Sequence, residues 1–171
     1  MRKIMVGMVF VFLDFTINME TSKLGLIPDF VGYILIVQGL SEMASESPRF
    51  GKIKGLSLAM VVYTALLYAF DLLGVILSEE LFSWLLGFAS TIISLYISYN
   101  IVMGVRDMEA GGRNLDGASL LAVWKVYAVV SLAIHLLFLV PALNILLLIA
   151  GLVLGIVFLF AFNRTKNLYY A

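Results

Sequence analysis

The stretch LIPDFVGYILIVQGLSEM, residues 26–43, holds an apolar run of membrane-spanning length, a helix start and an acidic residue. Pro28 indicates the first turn of a helix, because the backbone N–H that proline lacks has no helical partner at that position. Asp29 follows directly inside the apolar run. Its carboxylate either serves the free N–H groups of the helix start or belongs to a functional site, and the sequence leaves both interpretations open.

The composition of the whole chain favours lipid as its solvent. Of the 171 residues, 63% are hydrophobic and 13% are charged, and the mean hydropathy is +1.07. Soluble domains hold roughly 45–50% apolar and about 25% charged residues. Basic and acidic residues number 11 each, so the chain lacks the excess of basic residues typical of nucleic-acid binding. The absence of cysteine excludes disulfides and thiolate metal sites. These features predict a single polytopic transmembrane domain over residues 1–171.

Six segments reach or approach the ~20 apolar residues of a spanning helix. They are residues 4–19, 26–43, 56–77, 81–105, 119–140 and 143–162. The first is interpreted as a retained helix rather than a signal peptide, because Asp14 interrupts its apolar run and no small-residue cleavage site follows. The short connections favour antiparallel neighbours. The predicted fold class is therefore an all-α, six-helix transmembrane bundle, with a repeat of three helical hairpins left open.

The distribution of lysine and arginine predicts the orientation of the bundle. If the N-terminus is cytoplasmic, ten of the eleven basic residues lie on the cytoplasmic side and Lys23 alone lies outside. Cytoplasmic loops retain positive charge in membrane proteins. We therefore expect a multi-pass plasma-membrane protein with both termini in the cytoplasm.

Four ionisable residues are predicted at one depth of the membrane, namely Asp14, Asp29, Asp71 and His135. At about 1.5 Å of rise per residue, each lies within ~4–11 Å of the outer end of its helix. A charged group in a membrane helix costs ~2.5–3.5 kcal/mol at the helix centre, so such groups usually face the bundle interior. Tyr68 and Ser131 lie on the polar stripes of two of these helices. The predicted binding site consists of Asp14, Asp29, Asp71, His135, Tyr68 and Ser131.

All of these residues except Asp14 also have a structural explanation. Serine stripes more often form packing and hydrogen-bonding surfaces between helices than pathways. Asp71 fits a neutral or ion-paired structural role, and a lone histidine such as His135 is more often hydrogen-bonded than a ligand. Asp14 lies near the end of its helix, where the dipole disfavours an anion. Asp14 is therefore the stronger functional candidate.

The pattern Leu-x-Pro-Asp-Phe-x-Gly-Tyr at residues 26–33 resembles one in a family of small integral membrane proteins of Gram-positive bacteria. The likeness covers mainly the second helix and the segment around Asp14. It implies a bacterial plasma-membrane setting and brings no activity with it.

Three functions remain open from the sequence. The first is a transporter or permease that handles a small cation, a proton-coupled solute or a lipid through the outer Asp and His cluster. In its metal version, Asp14, Asp71 and His135 bind a divalent ion such as Mn, Fe or Zn; no other cofactor is predicted. The second is a non-catalytic subunit or regulator that binds a partner membrane protein or another copy of the chain. The third, a lipid-modifying enzyme, lacks the common hydrolase and metalloprotease motifs, so the sequence favours a non-enzyme.

Overall fold

A computed structural model describes residues 1–12, 16–19, 22–25, 28–74, 80–137 and 140–171. These residues form six helices and one two-stranded antiparallel sheet. In chain order the elements are α1 (Arg2–Phe12), β1 (Thr16–Met19), β2 (Ser22–Gly25), α2 (Asp29–Glu42), α3 (Pro48–Leu72), α4 (Glu80–Ala110), α5 (Gly117–Leu136) and α6 (Pro141–Tyr170). The predicted all-α fold of six helices is confirmed.

Within the described part of the chain, four helices are long and apolar enough to cross a membrane. They are α3, α4, α5 and α6, whose apolar spans are 20 to 30 residues long. The other two are shorter than the ~17 residues that a spanning helix needs, since α1 has 11 residues and α2 has 14. The chain is therefore a membrane protein built on four long helices, with two shorter helices packed beside them.

The predicted C-terminal end of the first helix, at residue 19, is wrong. Helix α1 ends at Phe12, and residues 16–19 form strand β1, which pairs with β2 in the register Thr16↔Gly25 to Met19↔Ser22. Two successive β-branched residues, Thr16 and Ile17, favour an extended backbone. The second helix likewise begins at Asp29, three residues after its predicted start. Apolar content alone does not distinguish a short helix from a strand, which explains the error.

The helices form a closed ring in chain order. Each helix packs against the next, from α1 and α2 through to α5 and α6, and α6 packs back against α1. Strand β2 also contacts α3. Short connections between consecutive helices make neighbours antiparallel, as predicted.

One end of the ring, which we call the ion-pair end, joins the connectors and both chain ends by charged contacts. A 2.6 Å ion pair between Lys3 and Glu42 links α1 to α2. Arg113, in the connector after α4, lies 2.9 Å from Glu46, in the connector after α2. At the end of α6, Arg164 lies 3.4 Å from Asp116. The α2–α3 and α4–α5 connectors therefore meet the start of α1 and the end of α6 on the same face.

Helix α3 begins inside the ion-pair end because of a capping arrangement. The Ser47 hydroxyl accepts a hydrogen bond from the backbone N–H of Arg49 at 3.2 Å, and Pro48 occupies the first helical position. Both features are typical helix starts. The helix therefore begins eight residues before the predicted start at residue 56, and the added segment carries the basic residues Arg49, Lys52 and Lys54.

The tightest packing lies toward the ion-pair end. Phe50, Ile101 and Phe162 are completely buried there. Toward the opposite end, large apolar side chains of α4 such as Leu81 and Phe82 are exposed. The exposed side chains suit a lipid environment, and the buried ones fix the relative positions of the helices at the ion-pair end.

Helices α1 and α2 approach each other through glycines. A Cβ added to Gly7 would lie 2.5 Å from the carbonyl oxygen of Gly32, and one added to Gly39 would lie 2.8 Å from the backbone nitrogen of Ile4. Small residues permit such close helix contacts in membranes. Gly32 and Gly39 thus let α1 approach α2 closely below Asp29.

Candidate functional site: a polar cavity within the helix ring

A cavity of about 220 Å³ lies between four of the helices. Helix α1 provides Val11, α2 provides an acidic and an aromatic residue, α4 provides three hydroxyl groups and one leucine, and α5 provides a second tyrosine. The wall is formed by Val11, Asp29, Tyr33, Ser90, Thr91, Ser94, Leu95 and Tyr127. Six of these eight residues carry a polar group, in a chain that is 63% hydrophobic.

The cavity lies far along α4 from the ion-pair end. Ser94 precedes Asp107 by 13 residues on α4, which corresponds to about 20 Å along the helix axis. Asp107 belongs to the ion-pair end, since its carboxylate lies 3.1 Å from Arg49. The hydrocarbon layer of a bilayer is about 30 Å thick. If the ion-pair end sits at one membrane surface, the cavity therefore lies inside the hydrocarbon layer.

Asp29 lies both at a helix start and at the cavity wall. It occupies the first turn of α2, where the positive end of the helix dipole stabilises a carboxylate. It also lines the cavity, and its Oδ1 atom is buried. The position of Asp29 at the cavity wall is therefore set by the start of α2.

Two tyrosines fix the walls beside Asp29. Tyr33 follows Asp29 by one helical turn, is 2% exposed, and lies with its hydroxyl against Ser94 of α4. Tyr127 lies with its hydroxyl against Ser131 on its own helix. The Tyr127 ring stacks on Phe158 of α6 at a centroid distance of 6.0 Å and an interplanar angle of 11°. Because Tyr33 is almost completely buried and Tyr127 stacks on Phe158, packing defines the positions of both rings at the cavity.

His135 lies behind the wall, where it contacts Thr91. Its Nδ1 atom is 3.1 Å from the carbonyl oxygen of Ser131, and its Nε2 atom is 3.4 Å from the Thr91 hydroxyl. A carbonyl oxygen only accepts hydrogen bonds, so Nδ1 carries the proton and donates to Ser131. In the neutral ring Nε2 then accepts a hydrogen bond from Thr91. His135 thereby orients a hydroxyl group that lines the cavity.

Toward the ion-pair end the cavity has a packed floor. The next void in that direction measures only about 10 Å³ and is lined largely by apolar side chains, including Met8, Ile36, Ile97 and Ile101. A void needs about 10–15 Å³ to hold one water molecule. The polar cavity is therefore closed on the side of the ion pairs.

The structure brings together three of the six predicted site residues. Asp29 lines the cavity, while His135 and Ser131 support its wall through Thr91 and Tyr127. Two others, Tyr68 and Asp71, lie apart from the cavity.

Tyr68 packs edge-on against Phe30 at a centroid distance of 5.6 Å, and Asp71 is exposed near the end of α3 and does not line the cavity. Asp14 lies outside the described residues. The predicted cluster of three aspartates and a histidine is thus replaced, among the residues whose positions are defined, by one aspartate with hydroxyl and aromatic partners.

The predicted metal site rests on Asp14, Asp71 and His135. Within residues 1–12, 16–19, 22–25, 28–74, 80–137 and 140–171, no group of three His, Cys, Asp or Glu side chains is placed to hold a metal ion. Asp71 is exposed, and His135 uses both ring nitrogens in hydrogen bonds within the protein. The metal site therefore stays a prediction that depends on Asp14.

Sequence reasoning missed both tyrosines and Thr91 as parts of the site. The spacing of Tyr33 four residues after Asp29 was a usable signal, because residues i and i+4 share a helix face. Ser90 and Ser94 are four residues apart on α4, so they share a helix face, and both line the cavity. Tyr127 had no such signal, since its place opposite α2 depends on how the ring of helices closes.

Comparison of the chain with protein-family models, with curated proteins and with solved structures finds no match.

Proposed function

We propose that this protein is a transporter or permease that binds a small cation or a proton-coupled solute in the polar cavity, with Asp29 as the charged group. The observation that carries the proposal is a carboxylate in a cavity of about 220 Å³, among four hydroxyl-bearing residues of two other helices. The cavity lies about 20 Å along α4 from the ion-pair end. Polar and ionisable groups within a membrane domain are costly and most often mark substrate or ion pathways.

The size of the cavity supports a small ligand. Its volume of about 220 Å³ is many times the ~10–15 Å³ that one water molecule needs. It is below the ~300–1,000 Å³ of sites that enclose drug-sized molecules. An ion with part of its hydration shell, or a solute of a few heavy atoms, fits this range, whereas a whole lipid does not.

The packing around the cavity supports one particular state of a transport cycle. The floor beneath the cavity is closed toward the ion-pair end by Met8, Ile36, Ile97 and Ile101. Basic residues concentrate at that end, which the positive-inside rule assigns to the cytoplasm. We therefore propose a plasma-membrane protein with both termini in the cytoplasm, in a state that is closed to the cytoplasm.

Cysteine labelling tests whether the cavity is a transport site, because the chain has no native cysteine. Ser94→Cys places a thiol on the cavity wall, and Leu58→Cys on the exposed face of α3 is a matched control in the lipid-facing surface. In proteoliposomes, we expect a membrane-impermeant methanethiosulfonate to label residue 94 from one side and to leave residue 58 unlabelled. If residue 94 is unreactive from both sides, the cavity is sealed and the transport proposal is overturned.

A flux measurement tests the role of Asp29. Proteoliposomes with an internal pH dye receive gradients of Na⁺, K⁺ or methylammonium chloride, and proton movement is recorded. We expect the signal above empty liposomes to be lost in Asp29→Asn and kept in Asp71→Asn, since Asp71 is exposed and lies off the cavity. Equal flux in wild type and Asp29→Asn would remove Asp29 from the mechanism.

A further inference from the structure

We infer that the ligand of the cavity is a small organic ammonium ion, bound between the Asp29 carboxylate and the rings of Tyr33 and Tyr127. The inference rests on the proposed function and adds the chemical class of the ligand. The wall positions that carry it are one acidic group, two aromatic rings and a set of neutral hydroxyls.

The charge of the wall favours a cation. Among the described residues that line the cavity, Asp29 is acidic and none is lysine, arginine or histidine. An ionised carboxylate has room for about four hydrogen-bond donors, so it accepts N–H groups of a ligand in addition to contacts within the protein. Hydrogen bonds between an ammonium and a carboxylate are about twice as strong as those between neutral groups.

The aromatic walls favour an organic cation over a hydrated inorganic ion. A cation within about 6 Å of a tyrosine ring centroid is attracted by the negative face of the ring, and the attraction grows when the cation is desolvated. Tyr127 stacks on Phe158 and is in edge contact with Phe12 at 5.0 Å, so its ring is fixed from the outside of the cavity. Tyr33 lines the cavity but is 2% exposed, so Tyr127 provides most of the aromatic surface. Methyl and methylene groups of an ammonium ion also pack well against Val11 and Leu95, which complete the wall.

The donor set fits a divalent metal less well. Calcium takes six to eight oxygen ligands that include several carboxylates or carbonyls, and zinc takes three or four His, Cys or carboxylate ligands. The described wall contributes one carboxylate, and the remaining polar groups are hydroxyls. An ammonium ion needs one counter-charge and a few acceptors, and the described wall residues supply both.

The ammonium group has two chemical sources, a free amine in water or the headgroup of an amine-bearing phospholipid. A headgroup alone fits a cavity of about 220 Å³, with its acyl chains left in the bilayer. The experiment separates these sources by the lipid in which the protein is held.

The full chain is placed in nanodiscs of phosphatidylglycerol, which carries no ammonium group, and its thermal unfolding midpoint is recorded. The probes are methylammonium and tetramethylammonium chloride, with KCl, MnCl₂ and tert-butanol at equal concentration as ionic, metal and neutral comparisons. A ligand at 100 times its Kd stabilises the folded state by about 2.7 kcal/mol. We expect a saturable rise in midpoint with an ammonium probe, and at most a small unspecific change with tert-butanol and KCl.

Variants connect the rise to the cavity. Asp29→Asn should abolish it, while Asp71→Asn should leave it unchanged because Asp71 is exposed and off the cavity. Tyr127→Leu should weaken ammonium binding by roughly 2- to 30-fold, the range of a cation–π contact. Tyr127→Phe is the more conservative substitution because it keeps an aromatic ring. Its affinity for the ammonium probe should stay within a few-fold of wild type.

The outcomes separate the inference from the proposed function. If nanodiscs with phosphatidylethanolamine raise the midpoint and suppress the response to methylammonium, the ligand is a lipid headgroup; an unchanged response indicates a free amine, and both support the inference. A rise with MnCl₂ or tert-butanol that depends on Asp29, without one for either ammonium probe, overturns the inference and leaves the proposed function standing. Labelling of Ser94→Cys without a rise in midpoint for either ammonium probe likewise overturns the inference and leaves the proposed function standing. An unreactive residue 94 instead removes the proposed function.

Discussion

Gly7 of α1 and Gly32 of α2 face each other so closely that a Cβ added to Gly32 would lie 2.8 Å from the carbonyl oxygen of Gly7. A second backbone is the obstacle, so a side chain there cannot be accommodated by a rotamer change. This contact lies one turn below Asp29 and sets the position of the N-terminal turn of α2 at the cavity.

We expect Gly32→Ala to lower the free energy of unfolding by about 1–3 kcal/mol, the usual cost of overpacking a tight contact. Denaturant unfolding in mixed micelles measures the change. Gly55→Ala on the exposed face of α3 is the matched control, because no atom lies within 4 Å of its added Cβ. The control should be neutral or more stable by up to about 1 kcal/mol, since alanine favours helix over glycine. Equal effects of the two variants would contradict the close α1–α2 contact.

Phe50 and Gly104 form a second steric pair, between α3 and α4. A Cβ on Gly104 would overlap the Phe50 ring, and Phe50 is completely buried. Phe50→Ala should therefore cost about 3–5 kcal/mol of unfolding free energy, as for other buried phenylalanines. Phe160→Ala is the control, because Phe160 is 71% exposed and should cost far less. If both variants unfold at the same denaturant concentration, Phe50 does not fill the space in front of Gly104.

Asp107 accepts hydrogen bonds from the hydroxyl of Ser47 at 2.6 Å and from Nε of Arg49 at 3.1 Å. Ser47 is 2% exposed, so losing its acceptor leaves a buried hydroxyl without its hydrogen bond. We expect Asp107→Ala to cost about 1–3 kcal/mol in unfolding free energy.

The matched control for that variant is Glu42→Ala, which removes the exposed ion pair with Lys3. Exposed pairs contribute about 0–1 kcal/mol, so this change should be small and should shrink further in high salt. A larger loss from Glu42→Ala than from Asp107→Ala would show that the connector after α2 is not held by Asp107.

His135 is the one histidine of the sequence, which makes its imidazole nitrogens directly assignable. The contacts with Ser131 and Thr91 predict the neutral tautomer with the proton on Nδ1. Nitrogen-15 NMR at a pH where the ring is neutral should show a protonated Nδ1 and an unprotonated Nε2. Thr91→Val should shift the Nε2 signal, because the hydroxyl that donates to it is gone, and should leave Nδ1 nearly unchanged. A spectrum dominated by protonated Nε2 would be incompatible with this geometry.

The predicted orientation is testable with single cysteines at the two ends. Ser45→Cys lies in the exposed α2–α3 connector of the ion-pair end, and Leu73→Cys lies at the exposed far end of α3. In intact bacterial cells, an impermeant maleimide should label residue 73 and should label residue 45 only after permeabilisation. The reverse pattern would place both termini outside.

The sequence predicts the four long helices well because a run of about 20 apolar residues has few alternatives in lipid. It predicts their ends less well. Helix α3 continues to Pro48 through Lys52 and Lys54, which an apolar window rejects although Ser47 and Pro48 form a helix start. The early end of α1 at Phe12 follows from the sheet formed by β1 and β2, and that pairing leaves no mark in hydropathy.

The site shows the same division between local and long-range information. Asp29 is predictable, because an acidic residue in an apolar run is conspicuous and its own helix fixes its direction. Asp71 has the same signal but lies exposed on α3, since the face that a helix buries depends on its neighbours. Tyr127 reaches the cavity because α5 packs against both α4 and α6, a relationship that no single segment contains.

The contact between α6 and α1 has a consequence for biogenesis. Met1 and Tyr170, whose polar atoms lie 3.4 Å apart, are separated by 169 positions in the chain. Because α1 and α2 precede α6 in the chain, both are synthesised before the helix that packs against α1. Until then, α1 and α2 can pack only against each other, through Gly7 and Gly32. If this packing is lost in a nascent chain, we expect Asp29 to face lipid before the cavity residues of α4 and α5 have been synthesised.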